Sequence, residues 1–155
     1  MALLSTGLAG RLLGNESFEQ LMRHGVIELR DGAIPASPDL AATGNLIARI
    51  TNAGASWAPG ASAGGLEWQR VGRFAVPAPG QSWQLTGVVT GTPTWFRVRA
   101  NAPETGVGAS DVLRIDGVVA ALDGSPTTGA DLFLPTAQVA AGSVRRIDNF
   151  TFSLT

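Results

Sequence analysis

The sequence contains no cysteine, no lysine and a single histidine. Without cysteine the chain has no disulfide, no thiolate metal ligand and no thiol nucleophile. A Ser-His-Asp type of triad needs a histidine base, and the one histidine, His24, precedes Gly25 where a helix is predicted to end. An imidazole at that position is interpreted as a helix-terminal residue that interacts with the helix dipole. The scarcity of these residues therefore argues against nucleophilic catalysis.

Charge of either sign is also scarce. Eleven arginines stand against twelve acidic residues, which gives a net charge of −1, and only 15% of the residues are charged. A domain this close to neutral lacks the basic surface of a nucleic-acid-binding protein. Apolar runs such as 118–122 are far shorter than the ~20 residues that cross a bilayer. Residues 1–4 are apolar without a basic stretch, so we expect no secretory signal, no membrane partner and no nucleic-acid partner.

The carboxylates show no arrangement that is typical of a metal or catalytic site. Three aspartates precede glycine, a pattern that favours a turn over a calcium loop: Asp31, Asp116 and Asp123. Three glutamates are scattered along the chain without a recognisable pair: Glu28, Glu67 and Glu104. We therefore predict no catalytic residues, no metal site and no cofactor, and we interpret the protein as one that binds rather than an enzyme.

Residues 1–24 are predicted to form a short helical hairpin. Leu4, Leu8 and Leu12 are spaced by four and form one apolar stripe, which is typical of a helix with one buried face. A second helix is predicted to begin at Ser17, where a serine followed three residues later by glutamine forms a capping box. We expect this helical segment to precede the rest of a single domain of 155 residues.

Residues 25–155 are predicted to form the β body of that domain. Twenty glycines and nine prolines separate short segments in which apolar and polar residues alternate with the period of a strand. The alternating apolar positions are Ile27 and Leu29, Leu46, Ala48 and Ile50, Phe96, Val98 and Ala100, and Phe150, Phe152 and Leu154. This pattern predicts a mainly β fold, an antiparallel β-sandwich or barrel, with a jelly roll as one candidate.

Segments 53–65, 75–80 and 102–109 are rich in Gly, Ala and Pro and are predicted to be loops. Four tryptophans lie in or beside these segments: Trp57, Trp68, Trp83 and Trp95. They can fill the interior of the sandwich, or they can stack on sugars or anchor a protein interface from the surface. Because Trp95 and Phe96 are adjacent in a strand, their rings must point to opposite faces.

Several short blocks, in order along nearly the whole chain, resemble a widespread group of small tailed-bacteriophage proteins. The blocks are Leu4-Ser5-Thr6-Gly7-Leu8, Leu13-Gly14, Ser17-Phe18, Gly25-Val26-Ile27-Glu28-Leu29, Pro35-Ala36-Ser37-Pro38-Asp39, Ala42-Thr43-Gly44-Asn45-Leu46-Ile47-Ala48, Gly91-Thr92-Pro93-Thr94-Trp95-Phe96-Arg97, Thr128-Gly129-Ala130-Asp131-Leu132, and Ala141-Gly142-Ser143-Val144 with Phe150-Thr151-Phe152. The resemblance implies a virion structural protein that is assembled in the host cytoplasm. It implies in particular a capsid cement or decoration protein that binds and stabilises the shell of major capsid protein.

Two other functions stay open. A tail or head–tail connector component needs the same composition, and a carbohydrate-binding β-sandwich module would use exposed tryptophans. For a virion protein we expect a dimer or trimer that contacts the major capsid protein or other virion proteins. The interface is predicted in the helical segment or in loop 53–65, because a small sandwich cannot cover both helices. Its candidate residues are Leu4, Leu8, Leu12, Phe18, Trp57 and Trp68.

Overall fold

The computed structural model describes residues 1–102, 112–122, 129–148 and 150, together with the backbone of 152–153. Within these residues the chain begins with a two-residue strand and two short helices: β1 (Leu3–Leu4), α1 (Thr6–Leu13) and α2 (Phe18–Leu21). The strands that follow are β2 (Val26–Arg30), β3 (Leu46–Asn52), β4 (Trp68–Val71), β5 (Phe74–Pro77), β6 (Trp83–Gly87), β7 (Trp95–Arg99), β8 (Arg114–Ala121), β9 (Leu132–Leu134), β10 (Val144–Arg146) and β11 (Phe152–Ser153). The fold is mainly β.

Most strands belong to one large sheet, the main sheet, whose order is β1–β8–β7–β2–β3–β6–β10. Neighbours along this path are antiparallel. β8 pairs with β1 through its first half and, in parallel, with β9 through its second half. A smaller antiparallel sheet has the order β11–β5–β4. The two sheets and the short helices near the start of the chain form the β-sandwich that the sequence predicts.

One hydrophobic core joins the sheets and the helices. Alternate residues of the central strands, such as Ile27 in β2 and Val98 in β7, point to the same face and are fully buried. An aromatic cluster fills the space between them and the smaller sheet. The rings of Trp68 and Trp83 meet edge to face with centroids 4.7 Å apart, and Phe150 lies 5.9 Å from the Trp83 ring. Such ring pairs add to the stabilisation from buried area alone.

The described residues confirm several predicted elements. β2, β3 and β7 lie where apolar residues alternate, and Ser17 caps α2 by accepting a hydrogen bond from the Gln20 amide at 3.2 Å. Trp95 and Phe96 point to opposite faces of β7, and both are buried because loops cover the second face of the main sheet. The finer prediction of a jelly-roll topology stays a prediction.

Three predictions that concern strand residues are wrong. Leu4 belongs to β1 rather than to a helix, because Ser5 is the N-cap of α1 and the residues before it pair with β8. Segment 75–80 is a loop only in its second part, since β5 extends to Pro77. Asp116 and Gly117 lie inside β8 rather than in a turn. The side chains of Phe152 and Leu154, residue Asp123 and most of 102–109 lie outside the described residues.

Candidate functional site

Charged side chains form a row across the face of the main sheet that points away from the core. Directly opposed residues of an antiparallel pair lie on the same face. The register places Arg49 of β3 opposite Glu28 of β2. Glu28 is in turn opposite Arg97 of β7, which is opposite Asp116 of β8. These four residues, the charged row, alternate in sign along four neighbouring strands, and Thr86 of β6 lies next to Arg49 at one end.

Arg97 and Asp116 form a buried, bidentate ion pair. Their side chains are 2% and 0% exposed. Arg97 Nε donates to Asp116 Oδ1 at 2.7 Å, and Arg97 Nη2 donates to Oδ2 at 2.6 Å. Parallel hydrogen bonds of this kind hold the guanidinium and the carboxylate in one plane. The pair joins β7 to β8 below the molecular surface, where neither charge can contact a ligand.

Loop 31–45 covers the end of the charged row formed by Arg97 and Asp116. The Leu40 carbonyl accepts hydrogen bonds from Arg97 Nη1 and Arg114 Nη1, each at 3.0 Å, and the Pro38 carbonyl accepts from Arg114 Nη1 at 3.0 Å. Two arginines of neighbouring strands therefore hold one stretch of the loop through its backbone. The positive charges at this end serve to fix a covering loop.

Asp39 connects the same loop to the beginning of α1. Its Oδ1 accepts from the Thr6 amide at 2.9 Å and its Oδ2 accepts from the Thr6 hydroxyl at 2.7 Å. A carboxylate at a helix N-terminus is stabilised by the unsatisfied amides and the helix dipole. The Thr6 hydroxyl, the Thr6 amide, Ser37 and the nearby Arg114 charge lower the pKa of Asp39 below its usual value.

Asp31 closes the two ends of loop 31–45. Its Oδ1 accepts from the Asn45 amide at 2.6 Å, and its Oδ2 accepts from Asn45 Nδ2 at 3.0 Å. These hydrogen bonds, the one from the Asn45 side chain above all, lower the pKa of Asp31. The Asp31 carbonyl also accepts from Trp95 Nε1 at 3.0 Å, which places that ring under the loop.

Three guanidinium groups surround the buried carboxylate of Glu28, whose side chain is 2% exposed. Arg30 Nη2 lies 2.9 Å from Glu28 Oε2. Arg99 Nη1 and Arg49 Nη2 approach Oε1 at 3.5 and 3.8 Å. Among the residues that the structure describes, these three arginines share the one carboxylate of Glu28.

Loop 53–65 lies beside the Arg49 end of the charged row. Trp57 Nε1 donates to the His24 carbonyl at 2.8 Å, and the guanidinium carbon of Arg99 lies 5.6 Å from the centroid of the Trp57 ring. The Gly60 amide donates to the Asn101 carbonyl at 2.7 Å. The loop is therefore attached to the body by a buried tryptophan, and this places its backbone beside Arg49.

A cleft of about 190 Å³ lies between loop 53–65 and the end of the charged row. Its lining residues, which define the Arg49 cleft, are Arg49, Thr51, Gly54, Ala55, Ser56, Trp57, Thr86 and Val88. Arg49 is the charged residue of this set, and its side chain is 40% exposed. Of the three arginines around Glu28, Arg49 has the most exposed side chain, and it lines this cleft.

Most of the predicted interface residues are buried within the chain itself. Leu8 lies in the core, Phe18 packs edge to face on Trp68 with centroids 5.3 Å apart, and Trp57 lies under its own loop. Leu4 and Leu12 pack against the core and are partly buried. The helical segment instead exposes Leu13, whose side chain is 87% accessible. Contact of this segment with a partner stays a prediction.

The tryptophans fill the interior. All four are buried, and they are spread over both faces of the main sheet: Trp57, Trp68, Trp83 and Trp95. A sugar-binding platform needs aromatic rings that are open to the ligand. The sequence feature on which the carbohydrate-binding alternative depends is therefore used for packing.

Exposed apolar side chains lie at the edges of the main sheet. At the β10 edge, Val144 is 61% exposed, and Val88 and Val89 are about half exposed. At the other edge, the side chains of Phe133 in β9 and Leu122 after β8 are also exposed. Single exposed apolar residues are common in proteins, whereas clusters beside a sheet edge are typical of contact surfaces.

The described residues contain no group of three or more His, Cys, Asp or Glu side chains placed to hold a metal ion. Neither helix of the described part is long and apolar enough to span a membrane.

His24 has a left-handed backbone conformation with φ of 57°, and its Nδ1 lies 3.5 Å from Glu67 Oε1. The prediction that a helix ends at His24 is wrong, because α2 ends at Leu21 with Met22 as its C-cap and His24 lies in the turn before β2.

The charged row is absent from the sequence prediction. A signal for it exists, because Glu28 and Arg97 occupy polar positions in strands whose alternate residues are apolar. Opposite charges at such positions in different strands indicate cross-strand pairing. Asp116 carried a conflicting signal, since Asp-Gly is typical of a turn. Only the register, which depends on the folded sheet, brings these residues together.

Comparison of the chain with protein-family models, with curated proteins and with solved structures finds no match.

Proposed function

We propose that this chain is a structural protein of a tailed-bacteriophage particle that binds the protein shell as a cement or decoration protein. The resemblance of its sequence blocks to small phage virion proteins is one support. The surface at the β10 edge of the main sheet is the structural observation that carries the proposal. A protein of this class needs an apolar contact surface and little net charge, and this chain carries a net charge of −1.

The contact surface consists of Val88, Val89 and Val144. The Gly87 amide donates to the Ser143 carbonyl at 2.9 Å. Val88 follows Gly87 and Val144 follows Ser143, so both valines are next to this hydrogen bond in the chain. All three valines are about half exposed or more. We call these three residues the valine surface. It lies directly beside β10, at the end of the main sheet.

The backbone of β10 is open toward the same side. β10 pairs with β6, and within the described part of the chain no strand pairs with its other edge. An open edge offers unpaired amides and carbonyls to a strand of another protein. Apolar side chains beside such an edge add contact area that is buried on binding. The combination supports attachment to a neighbouring protein through added backbone pairing and apolar packing.

The buried charges support a structural role over a catalytic one. Asp116 is held by Arg97, and Glu28 is held by Arg30. The Arg97–Asp116 pair joins β7 to β8 and holds a covering loop, and Glu28 pairs with Arg30 within β2, so both carboxylates are buried in ion pairs. The buried part of the charged row therefore stabilises the body that carries the valine surface at its β10 edge.

A tail or head–tail connector component is the remaining alternative, because the same valine surface would serve it equally well. The two differ in the protein that is bound. Genes next to that of this chain discriminate between them: a major capsid gene favours the shell, and a tail-tube or tape-measure gene favours the tail. Self-association into a dimer or trimer stays a prediction of the same proposal.

The test uses purified chain and phage shells that lack it, imaged by electron microscopy after mixing and washing. We expect regular additional density on the shell. Val144→Asp should weaken shell binding by at least about tenfold, since a charge is costly to bury in an apolar contact. Val71→Asp is the matched control, because Val71 is an exposed valine of the smaller sheet, away from β10.

Thermal unfolding of both variants establishes that each remains folded. Binding of Val71→Asp and loss of binding by Val144→Asp support the proposal. Equal shell binding by the two variants would contradict the valine surface as the contact with the shell. Density on tails or connectors, with bare shells, supports the alternative and contradicts a cement role.

A further inference from the structure

The Arg49 guanidinium is only partly neutralised by its neighbour. Its Nη2 lies 3.8 Å from Glu28 Oε1, whereas charge-assisted hydrogen bonds between such groups have lengths of about 2.7–2.9 Å. Glu28 Oε2 is already bonded to Arg30 at 2.9 Å, and Arg99 shares Oε1 at 3.5 Å. The other two arginines lie closer to the carboxylate, and among the described residues Arg49 has no nearer acidic partner.

Two buried polar atoms of cleft-lining residues have no hydrogen-bond partner among the residues that the structure describes: Arg49 Nε and Thr86 Oγ1. Arg49 and Thr86 are directly opposed in the register of β3 and β6, so both side chains lie on the outer face. A buried polar group that lacks a partner is unfavourable for the folded protein. An acceptor oxygen brought within hydrogen-bond distance would satisfy these donors, and an anion in the cleft would also offset the positive charge of Arg49.

Gly54 lines the cleft at the point where loop 53–65 approaches β6. A Cβ built there would lie 3.0 Å from Gln84 Oε1 and 3.4 Å from Thr86 Oγ1, and the residue has a φ of 67°. The loop backbone can therefore approach Thr86 closely. Ser56 and Thr51 add two further hydroxyl groups to the lining. The lining thus combines one cation with three hydroxyls, which are donors suited to a compact group of negatively charged oxygens.

We propose that the Arg49 cleft binds a single oxyanion, a carboxylate or a phosphate group. A volume of about 190 Å³ accommodates such a group with a few waters, each of which occupies about 30 Å³. A long polyanion such as nucleic acid is disfavoured, because the chain as a whole carries a net charge of −1. The occupant is therefore a free anion of this kind or one acidic group presented by another protein.

This inference does not depend on shell binding. It concerns the isolated chain and depends on Arg49 and Thr86 rather than on the valine surface, although Val88 belongs to both the cleft lining and the valine surface, so failure of the anion test leaves the proposed function in place. Equally, shells without added density would leave the anion site untouched. The two proposals are tested on separate samples.

The experiment titrates the purified full chain with inorganic phosphate and, separately, with acetate as a carboxylate probe. Sodium chloride keeps the ionic strength constant, and nitrogen–proton NMR follows the amides of Gly54 and Ser56 and the Nε–H of Arg49. We expect saturable shifts confined to the cleft. Arg49→Gln should weaken binding by at least about tenfold through loss of the charge. Thr86→Val, which keeps the side-chain shape and removes the hydroxyl, should weaken it by a smaller factor.

Arg146→Gln is the matched control, because Arg146 lies on β10 with 71% of its side chain exposed and contacts Asp148. It should bind as the unaltered chain does. Saturable binding of both phosphate and acetate supports a site that accepts either group. Saturable binding of one probe alone assigns the site to a phosphate or to a carboxylate. The proposal is overturned by shifts that follow ionic strength alone, by equal binding of Arg49→Gln and the control, or by absence of saturation with both probes.

Discussion

Arg97 and Asp116 are 19 residues apart in the sequence and directly opposed in neighbouring strands, where two hydrogen bonds of 2.7 and 2.6 Å join their charged groups. The pair is buried, and its outer side is closed by the Leu40 carbonyl, which accepts from Arg97. Burial of two charges is tolerated because each is matched in geometry by the other. The strength of this match determines what happens when one partner is removed.

Asp116→Ala is expected to destabilise the protein by about 3–5 kcal/mol, because it leaves the Arg97 charge buried without its carboxylate. The double variant Arg97→Met with Asp116→Leu should recover most of this loss, since apolar side chains of similar volume avoid the desolvation of both charges. Urea unfolding followed by tryptophan fluorescence measures both. A single variant as stable as the unaltered chain would contradict the buried pair.

Ser5→Ala is expected to cost about 1–3 kcal/mol. The buried Ser5 hydroxyl donates to the Val112 carbonyl at 2.6 Å and accepts from the amides of Leu8 and Arg114 at 3.3 and 3.0 Å. The substitution removes a helix cap and takes away the Ser5 hydroxyl as partner of the Val112 carbonyl and the Arg114 amide. Ser17→Ala is the control, because the exposed Ser17 caps only α2 and should cost about 1 kcal/mol or less. Equal losses in the two variants would mean that Ser5 acts as a cap alone.

Gly117→Ala is expected to destabilise the protein by about 1–3 kcal/mol through overpacking. A Cβ at this position would lie 2.5 Å from the Phe96 ring and 3.0 Å from Asp131 Oδ2. The ring cannot move aside freely, because Phe150 packs edge to face on it with centroids 5.9 Å apart. Gly10→Ala is the control: nothing lies within 4 Å of a Cβ there, and alanine favours the helix interior. Thermal unfolding should show a loss for Gly117→Ala and a small gain for Gly10→Ala.

Asp39→Asn is expected to lower the melting temperature at neutral pH and to have no effect in strong acid. The pKa of Asp39 in the folded chain lies below its ordinary value of 3.8, chiefly because of the Thr6 hydroxyl. Stabilisation by the carboxylate is therefore present well above pH 3.8 and is lost as the pH falls through the lower pKa of the folded state. Thr6→Val should reduce the same pH dependence.

Melting curves at pH values from about 7 down to about 2 measure this effect. The difference between Asp39→Asn and the unaltered chain should be constant at the upper end and shrink as the carboxylate becomes protonated. A difference that persists in strong acid would show that the asparagine perturbs the loop by itself.

Elements with a local signal could be predicted from the sequence. The alternation of Ile27 and Leu29, and of Phe96 and Val98, indicates β2 and β7 because a strand with a buried face repeats every two residues. Ser17 marks the start of α2 in the same local way. These patterns depend only on residues that are close together in the sequence. The described residues confirm β2, β7 and the start of α2.

Features that depend on distant partners could not be predicted in this way. Leu4 fits a helical stripe by spacing, yet it is a strand residue because it pairs with Ile115 of β8. Asp116 fits a turn by its neighbour Gly117, yet its environment is set by Arg97. The Arg49 cleft likewise requires Arg49 and Thr86 to be opposed, which only the sheet register determines. Tertiary pairing overrides local preference at each of these positions.

The pairing of β8 with β1 connects the start of the chain to a strand that is synthesised much later. Leu3 pairs with Asp116, and the Ser5 hydroxyl that caps α1 bonds to Val112 and Arg114, so the earliest element of the chain is completed by one that is synthesised more than a hundred residues later. During translation β2 and β3 can pair while β1 and α1 have no docking site. The contacts that complete the buried side of α1 therefore form only after residues 112–116 have been synthesised.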